Sequence, residues 1–132
     1  MKVLVDASVW SLALRRKTPI YGTEIVNFLQ HLIAEGRVVM LGAIRQELLS
    51  GIRHSEQFER LRDYLRDFPD LGITTEDYEI AAEFFNTCRR NGVQGSNTDF
   101  LICAVAHRRG YSILTADRDF DNFRPYIPIS LL

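Results

Sequence analysis

Four acidic residues stand where strands end, where helices begin, or at the edge of an apolar helix face. Asp6 directly follows KVLV, Glu47 lies within AIRQELLSGI, Asp99 directly precedes FLICAVA, and Asp117 follows YSILT by two residues. Each has a plain role open to it. Asp6 and Asp99 suit helix N-termini, Asp117 a turn, and Glu47 a solvated surface. Together they suggest chemistry. Carboxylates drawn to one place repel one another and resist burial unless a cation neutralises them. Hard oxygen donors suit Mg²⁺ or Mn²⁺ rather than zinc. His31, His54 and His107 are scattered, and the two cysteines, Cys88 and Cys103, lack metal-type spacing. Asp6, Glu47, Asp99 and Asp117 are therefore candidate metal ligands and catalytic groups. Ser8 and Thr115 carry hydroxyls near the same strand ends and are candidates to orient a carboxylate or a water. Asp119 and Asp121 follow in TADRDFDNF. Asp119 is a candidate extra ligand, with a turn or cap role equally open.

The elements that must position these groups alternate between strand and helix. Lys2 to Val5, Val38 to Leu41, Leu71 to Thr74, Tyr111 to Thr115 and Tyr126 to Ser130 read as short strands, the last broken by Pro128. Helices are expected over Ala7 to Arg16, Thr23 to Glu35, Ala43 to Arg53, Phe58 to Phe68 and Thr75 to Arg90. A further helix is apolar on every side from Phe100 to Ala106, capped by Asn97 or Thr98 and closed by Arg108, Arg109 and Gly110. A helix without a polar face must be buried on all faces. The alternation predicts an α/β fold, a parallel sheet of four to five strands with helices on both faces, in a single domain spanning residues 1–132. In such sheets ligands bind beyond the carboxyl ends of the strands, where Asp6 and Asp117 lie.

Composition narrows the classes. Sixteen Lys and Arg offset 17 Asp and Glu to a net charge of −1, so bulk charge does not announce nucleic-acid binding. Any such binding must be local, with Arg15, Arg16, Arg45, Arg53, Arg89, Arg90 and Arg118 as candidates to hold phosphates, although a solvated surface is the plainer role for any one of them. The cysteines read as reduced core thiols and the N-terminal apolar run is too short for a leader, which predicts a cytoplasmic protein with no membrane association. No phosphate-binding glycine loop, serine-nucleophile motif or HExxH zinc motif is present. Trp10, Phe84 and Phe85 stand at helical spacings and read as core.

VLVDASVWS, IRQELLSGIR and GSNTDFLICAVAHRRGYSILTADRDF resemble, in order and context, the signature blocks of PIN-domain ribonucleases, and above all the VapC toxins of bacterial toxin–antitoxin pairs. The resemblance spans the chain. It places the family's acidic positions on Asp6, Glu47, Asp99 and Asp117, and its accompanying hydroxyls on Ser8 and Thr115. It implies a Rossmann-like fold and Mg²⁺- or Mn²⁺-dependent hydrolysis of RNA phosphodiesters. It also implies neutralisation by a cognate antitoxin whose tail brings a basic side chain to the acidic site and buries apolar residues between the early helices and the helix near Phe58. A homodimer is implied as well, and apolar Ile20, Val26, Phe28, Leu29 and Leu32 of the early helices, or part of the helix Phe58 to Phe68, are candidates for its interface. Two other readings stay open: a PIN-like housekeeping nuclease without an antitoxin, and a non-catalytic module whose carboxylates only cap helices.

Overall fold

Val3, Leu4 and Val5 have no exposed surface, and three aliphatic residues buried on both faces can only be the middle of a covered sheet. In the computed structural model, which describes residues 1–14 and 23–132, they form β1 (Val3–Val5). β2 (Val38–Val39) and β3 (Ser112–Leu114) pair with it in parallel on either side, Val3 opposite Val38 and Ser112, and Leu4 opposite Val39 and Ile113. The order β2-β1-β3 puts the first strand at the centre. Parallel pairs need long crossovers, and helices supply them: α1 (Ala7–Leu14), α2 (Thr23–Ala34), α3 (Gly42–Leu49), α4 (Ser55–Leu65), α5 (Thr75–Arg90), α6 (Asn97–Arg109) and α7 (Asp119–Phe123).

Among the described residues the sheet has three strands, where four to five were expected. Neither outer segment expected as a strand, Leu71 to Thr74 or Tyr126 to Ser130, forms one; single parallel bridges, Met40 with Asp70 and Ile113 with Leu131, fall one residue outside them. Pro128 has no N–H to donate, and Pro69 and Gly72 flank Asp70 and Leu71, so neither edge sustains a ladder. Leu71 still donates to the Met40 carbonyl at 2.9 Å, while Ile113 donates to Ser130 and accepts from Leu132, both at 2.9 Å. α3 ends at Leu49 rather than Arg53, because Gly51 takes a positive φ of 86° just beyond it.

α6 is the buried helix that its sequence demands, with every residue from Phe100 to Ala106 in the core. Its cap is Ser96 rather than Asn97 or Thr98. The Ser96 hydroxyl accepts from the Asp99 N–H, and the Asp99 carboxylate accepts from the Ser96 N–H, both at 3.1 Å. α5 packs along α6, joining Phe85 to Phe100 edge to face at 5.5 Å and burying both free cysteines, Cys88 and Cys103. At the far end of this pair lies a charge hub that sequence reasoning missed. Asp77, fully buried in the first turn of α5, accepts from Arg109 at 2.9 and 3.0 Å and from Arg108 at 2.7 Å. These two guanidiniums, with the Thr74 N–H, hold its carboxyl well below the usual carboxylate range against the opposing effect of burial.

Val26, Leu29 and Leu32 form a stripe on α2 that faces the core, so the early helices do not leave them for a dimer interface. Of the described residues in that set Phe28 alone is exposed, and Ile20 lies outside the described residues. Trp10 is core as expected, edge-on to Phe68 at 5.0 Å.

Candidate active site

Asp6 is the best-buried of the four carboxylates, and its setting separates it from a helix cap. Its N–H continues the sheet ladder to the Leu114 carbonyl at 2.9 Å, and its own carbonyl accepts the first N–H groups of α1. The side chain does something else. Its Oδ2 accepts the Ser8 hydroxyl at 2.8 Å and the Thr115 hydroxyl at 2.9 Å, and among the described residues no backbone N–H of α1 donates to it. Each hydroxyl has one proton and spends it on Asp6, so each is left to act as acceptor. Ser8 Oγ takes the Ala116 N–H at 2.9 Å and Thr115 Oγ1 the Asp117 N–H at 3.0 Å. The loop after β3 is thereby tied to the Asp6 carboxylate through two hydroxyls. Ser8 and Thr115, candidates to orient a carboxylate, both bond the same oxygen of Asp6.

That loop carries Asp117, half-buried, with Oδ1 accepting the Asp119 N–H at 2.9 Å. Asp119 thus contributes its backbone, while its own side chain is exposed. Asp99 is half-buried in the first turn of α6, and so less buried than its helix implied. The plainer role also holds for it in part, because one of its oxygens completes the capping box. Gly95 lies in the turn just before α6. A Cβ there would fall 2.6 Å from Phe123 Cζ and 2.9 Å from Phe100 Cε2, so only glycine lets the turn before α6 rest on these rings. Phe123 belongs to α7, which follows Asp117, and its ring lies 4.7 Å from that of Phe100. One aromatic stack therefore fixes the elements carrying Asp99 and Asp117.

Glu47 projects from α3 at the rim, exposed. Burial of its inner part, and then the charges of Asp6, Asp99 and Asp117, raise its pKa above the ordinary glutamate value. Asp99 is raised too, by desolvation first and also by Asp6 and Asp117, against the lowering from its Ser96 hydrogen bonds. The four carboxylates therefore share one electrostatic field. Among the described residues, no three His, Cys, Asp or Glu side chains stand close enough to enclose a bare ion between them. The donor chemistry nevertheless fits Mg²⁺, which keeps several of its waters and needs only one or two direct carboxylates.

The arginines divide sharply. Arg45 is not available to a phosphate: it donates to Asp70 at 2.9 Å, to the Leu65 carbonyl at 2.9 Å and to the Phe68 carbonyl, closing the end of α4. Arg90 leans on the Thr87 hydroxyl, and Arg15 and Arg16 lie outside the described residues. Arg118 remains exposed beside Asp117, where a cavity includes both.

Among the described residues no helix is long and apolar enough to cross a membrane. The profile of the family described as PIN domain matches residues 3–124. The chain is 31% identical over 121 residues to VapC ribonuclease Mb1587 of Mycobacterium bovis and, equally, to ribonuclease VapC11 of Mycobacterium tuberculosis, covering 90% of this chain and 89% of each relative. Among solved structures, FitAcB from Neisseria gonorrhoeae superposes with a TM-score of 0.78 at 20% identity, over 98% of this chain and 96% of that one. VapBC2 from Rickettsia felis, solved with a DNA fragment from its promoter, gives 0.74 at 17% identity, over 100% and 98%.

Proposed function

The chain belongs to the PIN-domain family and is homologous to the VapC proteins, and from that premise we propose that it is a metal-dependent endoribonuclease held in check by an antitoxin. One observation carries the catalytic part. Asp6, Glu47, Asp99 and Asp117 come from four separate stretches of the chain to one place, where burial first, and then the charges of the neighbouring carboxylates, raise Glu47 and Asp99.

Asp6, Asp99 and Asp117 would hold Mg²⁺ or Mn²⁺, with Glu47 completing the charge from the rim. A divalent cation there would offset the phosphate's negative charge and favour ionisation of the attacking water. The chain's own groups do the rest. Ser8 and Thr115 fix the Asp6 carboxylate, and the Asp119 N–H fixes Asp117. Glu47, with its raised pKa, is suited to take a proton at its carboxylate on the open side of the site. Single-stranded or looped RNA can bend a phosphate into so recessed a place.

The antitoxin part of the proposal draws on the VapC relatives and on a surface of this chain. Leu14, Ile52, Leu61 and Tyr64 line an apolar cavity that shares Gln57 and Arg60 with a polar one at His54 and Ser55. The two make a groove between α1 and α4 suited to an amphipathic tail, whose basic end would compete with the cation for the carboxylates. A homodimer and a cytoplasmic location complete the proposal. The test is cleavage of single-stranded RNA by the purified chain in Mg²⁺ or Mn²⁺, with EDTA, Asp6→Asn and Asp99→Asn each expected to abolish it. Expression alone should arrest growth, and co-expression of the antitoxin should restore it. Absence of cleavage by folded, metal-supplied protein refutes the enzyme. Cleavage without growth arrest leaves a housekeeping nuclease.

A further inference from the structure

A cavity of about 320 Å³ opens beside the acidic site, and its wall is the Thr115–Ala116–Asp117 loop itself. The two ends of α7 supply its charge. Arg118 is the helix N-cap and Arg124 the C-cap, and both face this space together with Asp121. Both arginines are exposed, and among the described residues neither makes an ion pair or a side-chain hydrogen bond. Among the described residues Arg53, Arg60, Arg89 and Arg90 likewise make no ion pair, but none of them lines the cavity that holds Asp117. Arg37, Arg45, Arg62, Arg66, Arg108 and Arg109 all pair with carboxylates. Asp121 lies at the same cavity, yet no ion pair forms with it. Leu131 and Leu132 give the cavity an apolar wall, on which a ribose or base can lie.

A polyanion approaching four carboxylates is repelled unless cations beside the site offset them. We infer that Arg118 and Arg124 form the phosphate-positioning subsite of this chain, holding the RNA phosphate next to the one presented at Asp117. The inference rests on the ribonuclease reading and selects, from the scattered arginines, the two that share a cavity with a carboxylate of the site. Guanidiniums donate in a planar fork that matches phosphate oxygens, so both can grip one phosphate or two successive ones. These are positioning residues: they act on the placement of the strand, not on the scissile bond.

The test is steady-state cleavage of a single-stranded oligoribonucleotide in Mg²⁺ at several KCl concentrations. Wild type is compared with Arg118→Gln, Arg124→Gln, the double variant, and Arg66→Gln as a surface-charge control. The double variant should raise KM about tenfold with kcat held within twofold. It should also flatten the dependence of log(kcat/KM) on log[KCl] by about 1.4, at about 0.7 per lost phosphate contact on a single strand. Arg66→Gln should do neither. An unchanged salt slope in the double variant overturns the inference, as does a fall in kcat at constant KM, which would mark a structural effect of α7. Failure of wild type itself to cleave RNA would instead overturn the ribonuclease reading beneath it.

Discussion

Replacing Asp77 by Asn removes one charge from the most heavily bonded carboxylate in the molecule and leaves its shape. Asp77 has no exposed surface. It accepts from Arg109 twice, from Arg108, and from the Thr74 N–H at 2.9 Å. Breaking a buried pair by removing one partner costs about 3–5 kcal/mol. Arg108 and Arg109 retain 25% and 20% of their side-chain exposure and can rehydrate in part, which brings the expected cost to about 2–4 kcal/mol. With an unfolding entropy of about 2.1 cal/mol/K per residue over 132 residues, each kcal/mol moves Tm by about 3.6 °C, so the fall should be about 7–14 °C at pH 7. The pH dependence makes the test sharper. The folded-state pKa of Asp77 lies below its unfolded value, so its contribution is complete above the unfolded pKa near 4 and is lost as pH falls through the folded one. The gap between wild type and Asp77→Asn should therefore be widest at neutral pH and narrow progressively below pH 4. Thermal and urea unfolding followed by circular dichroism between pH 7 and pH 2.5 would measure it. A gap below 1 kcal/mol at pH 7, or one that stays constant with pH, would refute the assignment of this hub as a net stabilising charge cluster.

Gly95→Ala should destabilise by about 1–3 kcal/mol, because Phe123 and Phe100, fully packed, must shift to admit a methyl at 2.6 Å; an unchanged or higher Tm would show that the rings yield freely. Asp99→Asn should raise Tm in EDTA at pH 7 by about 1–3 °C, since it relieves the burial and repulsion of that carboxylate while its amide oxygen can still accept from Ser96. Because the folded pKa is raised, this gain should vanish as pH falls through it and wild-type Asp99 takes up its proton; a Tm decrease at pH 7 would mean that the cap matters more than the charge. Arg45→Gln should lower stability by about 1–3 kcal/mol through the orphaned Leu65 and Phe68 carbonyls while leaving KM for RNA within twofold; a raised KM in a stable variant would return Arg45 to the phosphate contacts.

The helices were legible where sequence carries its own stop signals. Thr75 to Arg90 holds to the residue, with Thr74 and Asp77 closing a capping box and two arginines in the last turn. The run from Phe100 to Ala106 could be nothing but buried. The outer strands were legible only in part: Pro128 marked a break in the last one, but a strand at a sheet edge is decided by whether its N–H groups meet a partner, which alternation does not report. Leu29 and Leu32 appeared surplus on α2 because apolar counting does not say which side of a helix the core covers. The positions of Asp6, Ser8 and Thr115 were readable from strand ends, whereas the bonds that tie Thr115 to Asp6 and Ala116 to Ser8 join residues more than 100 apart in sequence. The Asp77 hub had a signal that went unused: an acidic first turn in one helix and paired arginines in the last turn of the next. Antiparallel packing brings such ends together.

The hydrogen bonds at the acidic site also bear on the size of ion it would accept. Asp6 and Asp99 each have Oδ2 engaged by neighbouring donors, and Asp117 has Oδ1 engaged in the same way. Each carboxylate is thereby made one-handed, its second oxygen accepting no hydrogen bond among the described residues. Calcium commonly fills its wide, seven- or eight-fold shell by taking both oxygens of a carboxylate, whereas magnesium and manganese are content with single oxygens at octahedral corners. A site of one-handed aspartates, on the proposed reading, would discriminate by denticity: Ca²⁺ should compete poorly there, although it carries the same charge.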